Sequence, residues 1–143
     1  MPRTIRTIIE GQEILSASAN TTVLQAARLM KQRKVGAVMV VEDDRLVGIF
    51  TERDALFRVV ADGRDAANTV LREVMTRSPQ TLHPDRSFAD ALHLMHAGGF
   101  RHVPVVEDHR PLGMISARDA LGPELEDFFF EMLRQEHVDT VLA

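Results

Sequence analysis

The chain repeats itself at a fixed spacing, and this duplication limits the possible folds more than any other feature of the sequence. Residues 16–56 align with residues 81–121 at an offset of 65 without a gap, and fourteen of the 41 aligned positions are identical. The longest shared block is Val40-Val41-Glu42-Asp43 against Val105-Val106-Glu107-Asp108. A single copy would bury too little apolar surface to be stable alone. We therefore predict two copies of one unit that pack on each other.

Each copy shows the same order of predicted elements. Thr22 and Ser87 begin helices, because each is followed three residues later by a side chain that completes a capping box. β-branched runs at Val38–Val41 and Val103–Val106 predict strands, and the short charged turns after them predict hairpins. The order is a short extended piece, a helix, two strands and a second helix, which is an α+β arrangement.

The chain divides into three parts. We assign residues 1–62 to the first repeat with an N-terminal arm, 63–122 to the second repeat, and 123–143 to a C-terminal helix. Two points stay open. The arm at Thr4–Ile9 is either a strand or a segment that packs on the second copy. The C-terminal helix has an apolar stripe that packs on the domain or contacts a partner; it comprises Leu125, Phe128, Phe129, Met132 and Leu133.

The most informative repeated segment lies where the second strand of each hairpin ends. Gly48-Ile49-Phe50-Thr51-Glu52-Arg53-Asp54 corresponds to Gly113-Met114-Ile115-Ser116-Ala117-Arg118-Asp119. We call each of these segments a corner. Its hydroxyl and carboxylate, three residues apart, can reach the same small space beside a helix N-terminus. The same spacing is that of an ordinary capping box, but its occurrence twice within a whole-unit repeat favours a ligand-binding corner.

In both copies the spacing Gly-h-h-[Ser/Thr]-x-x-Asp, with Phe100–Asp108 ahead of the second, resembles that of a cystathionine-β-synthase (CBS) domain pair, or Bateman module. The resemblance covers Ser16–Leu121. It implies two β-α-β-β-α repeats packed about a pseudo-twofold axis. It also implies a cleft between them for an adenosine-containing ligand such as AMP, ADP, ATP, NAD or S-adenosylmethionine. Proteins of this kind are regulatory, signal to a separate protein and commonly form homodimers.

The resemblance assigns a role to each corner residue. Asp54 and Asp119 match the aspartate that accepts hydrogen bonds from ribose hydroxyls, and Thr51 and Ser116 match the hydroxyl that touches phosphate or ribose. Arg53 and Arg118 either contact phosphate or form ion pairs on a helix surface. Further ligand-binding positions are expected at Ser16, Val38, Ile49, Thr81, His83, Val103, Pro104 and Ile115.

The two copies differ at a position that matters for charge. Arg101 and His102 stand where some relatives place phosphate ligands, and the first copy has Gly36 and Ala37 there. We expect one cleft to bind a polyanionic nucleotide better than the other. The first copy also lacks a counterpart of the Val74-Met75-Thr76 lead-in at the same offset.

Composition excludes several other classes of function. The net charge of −4 and the absence of tyrosine and tryptophan disfavour nucleic-acid binding. No apolar run is long enough to span a membrane, and no signal peptide is evident, so we expect a cytoplasmic protein. The absence of cysteine removes disulfides and thiolate metal sites. His93 and His96, one helical turn apart, lack an acidic partner at ligand spacing, and we predict no metal site.

No nucleophile, base and orienting acid occur together in the sequence, so we predict a protein without catalytic activity. Two hypotheses from different classes remain. The first is an adenosine-ligand sensor that regulates a separate protein. The second is a ligand-free homodimerisation module in which the corners only cap helices.

Overall fold

The structure, a computed structural model, describes residues 3–119, 127, 128 and 130–135. Its helices and strands, in chain order, are α1 (Ile5–Ile9), β1 (Ser16–Ala17), α2 (Val23–Arg33), β2 (Ala37–Glu42), β3 (Arg45–Thr51), α3 (Glu52–Asp54) continued by a π-helix (Ala55–Val60), α4 (Leu71–Val74), β4 (Thr76–Arg77), α5 (Phe88–Gly98), β5 (His102–Glu107), β6 (Arg110–Ser116) and a 3-10 turn (Ala117–Asp119). The predicted α+β arrangement of two similar repeats is confirmed.

The two hairpins have the same geometry. β2 pairs with β3 and β5 with β6, both antiparallel, and each pair has an irregularity after the second valine of its strand, at Val40/Val41 and Val105/Val106. The turn residues Asp43-Asp44 and Asp108-His109 all have positive φ angles, between 51° and 67°. Two consecutive positive φ values define the turn type that matches the twist of paired strands, which explains why two-residue turns are sufficient here.

Helices α2 and α5 begin and end alike. The Thr22 hydroxyl accepts a hydrogen bond from Gln25 N, and the Gln25 side chain accepts one from Thr22 N. At their C-terminal ends Lys34 and Gly99 adopt left-handed conformations, with φ of 57° and 71°. These caps satisfy the free backbone groups of the terminal turns. The predicted helix starts are confirmed.

The two repeats exchange the segments that precede them. Ile5 N of α1 donates to Arg86 O in the second repeat, and Leu71 N of α4 donates to Thr21 O in the first, both at 2.9 Å. The two donors, Ile5 and Leu71, are 66 residues apart in the sequence, whereas the two acceptors, Thr21 and Arg86, are 65 residues apart. The first copy therefore does have a lead-in, and the expectation that it lacks one is wrong. The alignment at an offset of 65 does not show it because one extra residue shifts the lead-in to an offset of 66.

Each hydrophobic core contains the segment donated by the other copy. The buried residues of the first core are Ala19, Val23, Ala26, Met30, Val38, Val40, Phe50, Val59, Leu71, Val74 and Met75. Those of the second are Ile5, Ile9, Phe88, Ala91, Leu92, Met95, Val103, Val105 and Ile115. The arm at Thr4–Ile9 is thus a helix packed on the second copy, and the strand alternative is wrong.

The sheets differ at one edge. β1 runs parallel to β2, and β4 pairs with β3, which gives the order β1-β2-β3-β4. In the second repeat, Leu82 makes the parallel bridge to Val105 that corresponds to β1. No strand equivalent to β4 lies beside β6 among the described residues.

Part of the C-terminal segment packs on the second repeat. Phe128 contacts the second core and lies edge-on to the rings of His93 and His96, at 5.9 and 5.8 Å between centroids. Phe130 and Leu133 are exposed. The predicted helix start at Pro123 and the stripe residues Leu125 and Phe129 lie outside the described residues.

Candidate functional site

The first corner is a closed hydrogen-bonded ring at the end of β3. Asp54 Oδ2 accepts hydrogen bonds from Thr51 N at 3.0 Å and from Thr51 Oγ1 at 3.2 Å, and Asp54 N donates to Thr51 Oγ1 at 3.2 Å. Asp54 is only 8% exposed. The other carboxylate oxygen, Oδ1, lies 3.6 Å from Arg58 Nε, one turn along the π-helix. The corner is therefore a capping box in which the second carboxylate oxygen takes no part.

The second corner repeats the first. Asp119 Oδ2 accepts from Ser116 N at 2.8 Å and from Ser116 Oγ at 3.4 Å. Asp119 is half-buried, and its backbone carbonyl accepts from Arg3 Nη2 at 3.2 Å. Both corners thus hold a carboxylate and a hydroxyl in one small space, as their spacing predicts.

The first corner opens onto a cavity of about 900 Å³, which we call cleft 1. Its walls come from the first corner and its π-helix, from the segment after β4, and from the loop between α5 and β5. The residues used below are Ile49, Thr51, Arg53, Asp54, Phe57, Arg58, Gly99, Phe100, Arg101 and His102.

The second corner opens onto a smaller cavity of about 250 Å³, cleft 2. Its walls come from the second corner, from the segment between α1 and β1, and from the loop between α2 and β2. The residues used below are Gln12, Gly36, Ala37, Met114, Ser116, Arg118, Asp119 and His102.

Each corner faces the loop of the other repeat. Arg101 and His102, which precede the second corner in sequence, line cleft 1 with Asp54, whereas Gly36 and Ala37 line cleft 2. The exchanged arrangement places the guanidinium of Arg101, from the second copy, in the same cavity as the Asp54 carboxylate of the first. Cleft 1 is consequently both the larger and the more basic of the two, with three arginines in its lining against one in cleft 2.

His102 lies in the wall that the two clefts share. Burial lowers the pKa of His102 below its usual 6.5, and the nearby Glu52 carboxylate opposes that shift. Arg118 and Arg101 lower the pKa further, and Asp119 raises it. His102 is therefore a neutral imidazole at pH 7 that senses charges from both corners.

The corner arginines reach across the seam between the repeats. Arg53 Nη1 donates to Gly99 O at 3.1 Å, and Arg118 Nη1 donates to Lys34 O at 3.5 Å. Neither forms an ion pair among the described residues. The sequence alternatives, phosphate contact or helix-surface ion pair, did not include this arrangement.

The strand residues singled out from the sequence lie mostly away from the clefts. Of these only Ile49 is in a lining, that of cleft 1. The side chains packed inside the repeats are Val38, Pro104, Val103 and Ile115. Ser16, Thr81 and His83 are on the surface, where His83 faces Asp85 and Glu107.

Several cleft residues were not found from the sequence. Phe57 and Phe100 give cleft 1 aromatic walls, and Arg58 approaches the Asp54 carboxylate. The contact between Asp54 and Arg58 could have been predicted, because residues four apart on a helix lie on the same face. The contact of Gln12 with Met114 could not have been predicted, because nothing in the sequence around Gln12 indicates it.

A family model for the CBS domain matches residues 8–61 and again residues 71–123. The chain belongs to the CBS domain family. It is 37% identical over 107 residues to the CBS domain-containing protein YhcV of Bacillus subtilis, covering 75% of this chain and 76% of that protein. It spans only 19% of the length of CBS domain-containing proteins of Arabidopsis thaliana that it also matches.

Solved structures of CBS domain proteins share the fold. A protein with CBS domains from Burkholderia ambifaria superposes with a TM-score of 0.77 at 32% identity, covering 81% of this chain and 89% of that one. A CBS domain protein from Pyrobaculum aerophilum, complexed with AMP, has a TM-score of 0.75 at 22% identity, covering 84% of this chain and 92% of its own.

Two absences hold for the residues that the structure describes. These residues contain no cluster of three or more histidine, aspartate or glutamate side chains suited to a metal ion. None of their helices is long and apolar enough to cross a membrane.

Proposed function

We propose that this CBS domain pair is a non-catalytic regulatory module that binds an adenosine-containing ligand in cleft 1 and signals its occupancy to a separate protein. The observation that supports this most directly is the meeting of two repeats in one cavity. The first supplies a buried carboxylate and hydroxyl, Asp54 and Thr51, and the second supplies the cation Arg101.

The chemistry of the lining fits a nucleotide. Asp54 Oδ1 is free of the capping box and is an acceptor suited to a ribose hydroxyl. The guanidinium of Arg101 has no hydrogen-bond partner among the described residues and is suited to phosphate. Phe57 and Phe100 offer apolar faces to a flat base. A cavity that combines aromatic walls with polar groups is typical of small-molecule sites.

The size of cleft 1 suits AMP, ADP, ATP, NAD or S-adenosylmethionine, and its basic lining favours the phosphorylated compounds among them. That the Pyrobaculum aerophilum protein is complexed with AMP supports the capacity of this fold for such compounds. The larger, more basic cavity makes cleft 1 the better candidate for a phosphorylated ligand, in agreement with the unequal clefts expected from the sequence.

Exposed apolar side chains favour a second candidate, a homodimerisation module. Leu56, Phe57 and Val60 of the π-helix are 54–68% exposed, and Phe130 and Leu133 are also exposed. Large apolar side chains grouped on one short helix are typical of a contact surface. A homodimer is compatible with the sensor, but a dimer without any ligand would leave cleft 1 with no role.

Thermal shift measurements discriminate the two functions. The wild type is expected to gain thermal stability with at least one of AMP, ADP, ATP, NAD and S-adenosylmethionine, and Asp54→Ala is expected to lose that gain. Because Asp54 also caps its helix, the matched control is Asp90→Ala. Asp90 forms the same capping box with Ser87 outside both clefts. A wild type with no shift from any of the five ligands favours the dimerisation module.

A further inference from the structure

The two corner arginines form a symmetric pair of contacts between the repeats. Arg53 donates to the carbonyl of Gly99, and Arg118 to that of Lys34. Both donors and both acceptors correspond at the same offset of 65. Each acceptor is the left-handed residue that ends a helix of the opposite repeat, α5 for Gly99 and α2 for Lys34.

These carbonyls are suitable partners for a cation. The last carbonyls of a helix have no acceptor role within the helix and carry the negative end of its dipole, so a guanidinium is favourable there. The planar guanidinium can span the seam with one N–H group and keep the others in water. Because each repeat makes the same contact to the other, we infer that these contacts hold the two repeats relative to each other.

We propose that Arg53 and Arg118 are positioning residues that set how far the two clefts open, and that they do not act as phosphate ligands. This rests on the proposed function in so far as cleft 1 binds an adenosine compound. Arg53 and Gly99 both line cleft 1, one on each repeat, so their hydrogen bond fixes the separation of its walls.

A further contact between the repeats lies at the opposite end of the strands that lead to the corners. β3 and β6 meet near the turns of their hairpins, where Leu46 N donates to His109 O at 3.0 Å. The arginine contacts lie beyond the other ends of the same strands, at the corners. Because both arginine contacts lie at the same end of these strands, the loss of either contact is expected to change both openings.

The first test compares AMP with adenosine, which differs from it by the phosphate. Arg53→Met is expected to weaken binding of both ligands by the same factor, about two- to fivefold, and to leave their affinity ratio unchanged. Arg118→Met, in cleft 2, is expected to weaken both ligands in cleft 1 as well. The matched variant Arg101→Met, a cation of the same cleft, is expected to weaken AMP selectively. Selective loss of AMP affinity in Arg53→Met, or unchanged binding in Arg118→Met, overturns the proposal.

The second test needs no ligand. The chain has no cysteine, so spin labels at Asp62→Cys and Ala97→Cys, in labelled chain diluted with unlabelled chain, report the distance between the first repeat and helix α5 of the second. Both positions are exposed. The Arg53→Met, Arg118→Met double variant is expected to lengthen or broaden this distance relative to the labelled parent. An unchanged distribution overturns the proposal, whereas failure of every adenosine compound to bind the wild type overturns the proposed function alone.

Discussion

The side-chain amide of Gln12 pairs with the main chain of Met114 in the way that a neighbouring strand would. Gln12 Oε1 accepts from Met114 N at 2.7 Å, and Gln12 Nε2 donates to Met114 O at 2.9 Å. In the first repeat the equivalent position of β3, Ile49, pairs with Thr76 of β4. The Gln12 side chain thus pairs with the edge of the sheet in the second repeat. In the first repeat, the two backbone residues of β4 pair with the corresponding edge.

Gln12→Ala is expected to destabilise the protein by about 1 kcal/mol, because two exposed hydrogen bonds are lost and water replaces them in part. Urea unfolding measures the change. Gln32→Ala is the matched control, since Gln32 is exposed on α2 and its side chain has no hydrogen-bond partner among the described residues. Equal stability of the two variants would mean that the Gln12 amide does not support the edge.

Gly48→Ala tests the close approach of the exchanged lead-in to the first corner. A Cβ at Gly48 would lie 2.6 Å from Met75 Sδ and 3.0 Å from Thr76 O. The methionine can move, but the backbone carbonyl belongs to β4 and cannot. Overpacking of this kind costs about 1–3 kcal/mol, which thermal unfolding would report.

The control for that glycine is Gly36→Ala. The three atoms nearest to its Cβ would all belong to the carboxylate of Glu52, at 3.0–3.1 Å, which is the end of an exposed, flexible side chain. We expect Gly36→Ala to cost less than Gly48→Ala. The reverse order would contradict the role assigned to β4.

Local features of the fold follow from the sequence because they depend on neighbouring residues. Thr22 and Ser87 start helices through side chains three residues away, and the two corners close through the same spacing. The hairpins follow from β-branched runs around short turns. Duplication strengthened each of these predictions, since every pattern occurred twice.

The exchange of lead-in segments could not be predicted in the same way. Ile9 and Met75 occupy equivalent places beside Gly113 and Gly48, but they correspond at an offset of 66 and differ in identity. The crossing also decides which loop faces which corner. Arg101 therefore belongs to the cleft of Asp54, although the sequence places it just before the second corner.

His102 gives the protein a specific pH dependence. Because burial lowers its pKa in the folded state, the unfolded chain binds more protons as the pH falls through 6.5, and stability falls with it. His102→Gln removes this contribution while the other histidines remain. From pH 7.5 to pH 5.5 we expect the free energy of unfolding of the wild type to fall by more than that of His102→Gln, as measured by urea unfolding. Parallel pH profiles would contradict the burial of a neutral His102.

Arg58 connects the first corner to the lead-in of the second repeat. Its Nη1 donates to Met75 O at 3.0 Å and to Val74 O at 3.3 Å, and its side chain is about half exposed. Arg58→Met is expected to cost about 1 kcal/mol, since partial exposure reduces the value of charged hydrogen bonds. Arg64→Met, which removes only a surface pair with Glu73 at 3.7 Å, should cost less than about 0.5 kcal/mol by the same unfolding measurement. Similar losses in both variants would show that the carbonyl contacts add nothing.

The unequal clefts predict one strong phosphorylated-ligand site per chain. Cleft 1 has about 900 Å³ and three arginines, whereas cleft 2 has about 250 Å³ and only Arg118. Calorimetric titration with AMP is therefore expected to give a stoichiometry of one per chain. Asp54→Ala should weaken this binding at least tenfold, because a ribose hydroxyl loses a charged acceptor worth roughly 1.5–3 kcal/mol. Asp119→Ala should change it less than threefold, and a larger effect of Asp119→Ala than of Asp54→Ala would assign the nucleotide to cleft 2.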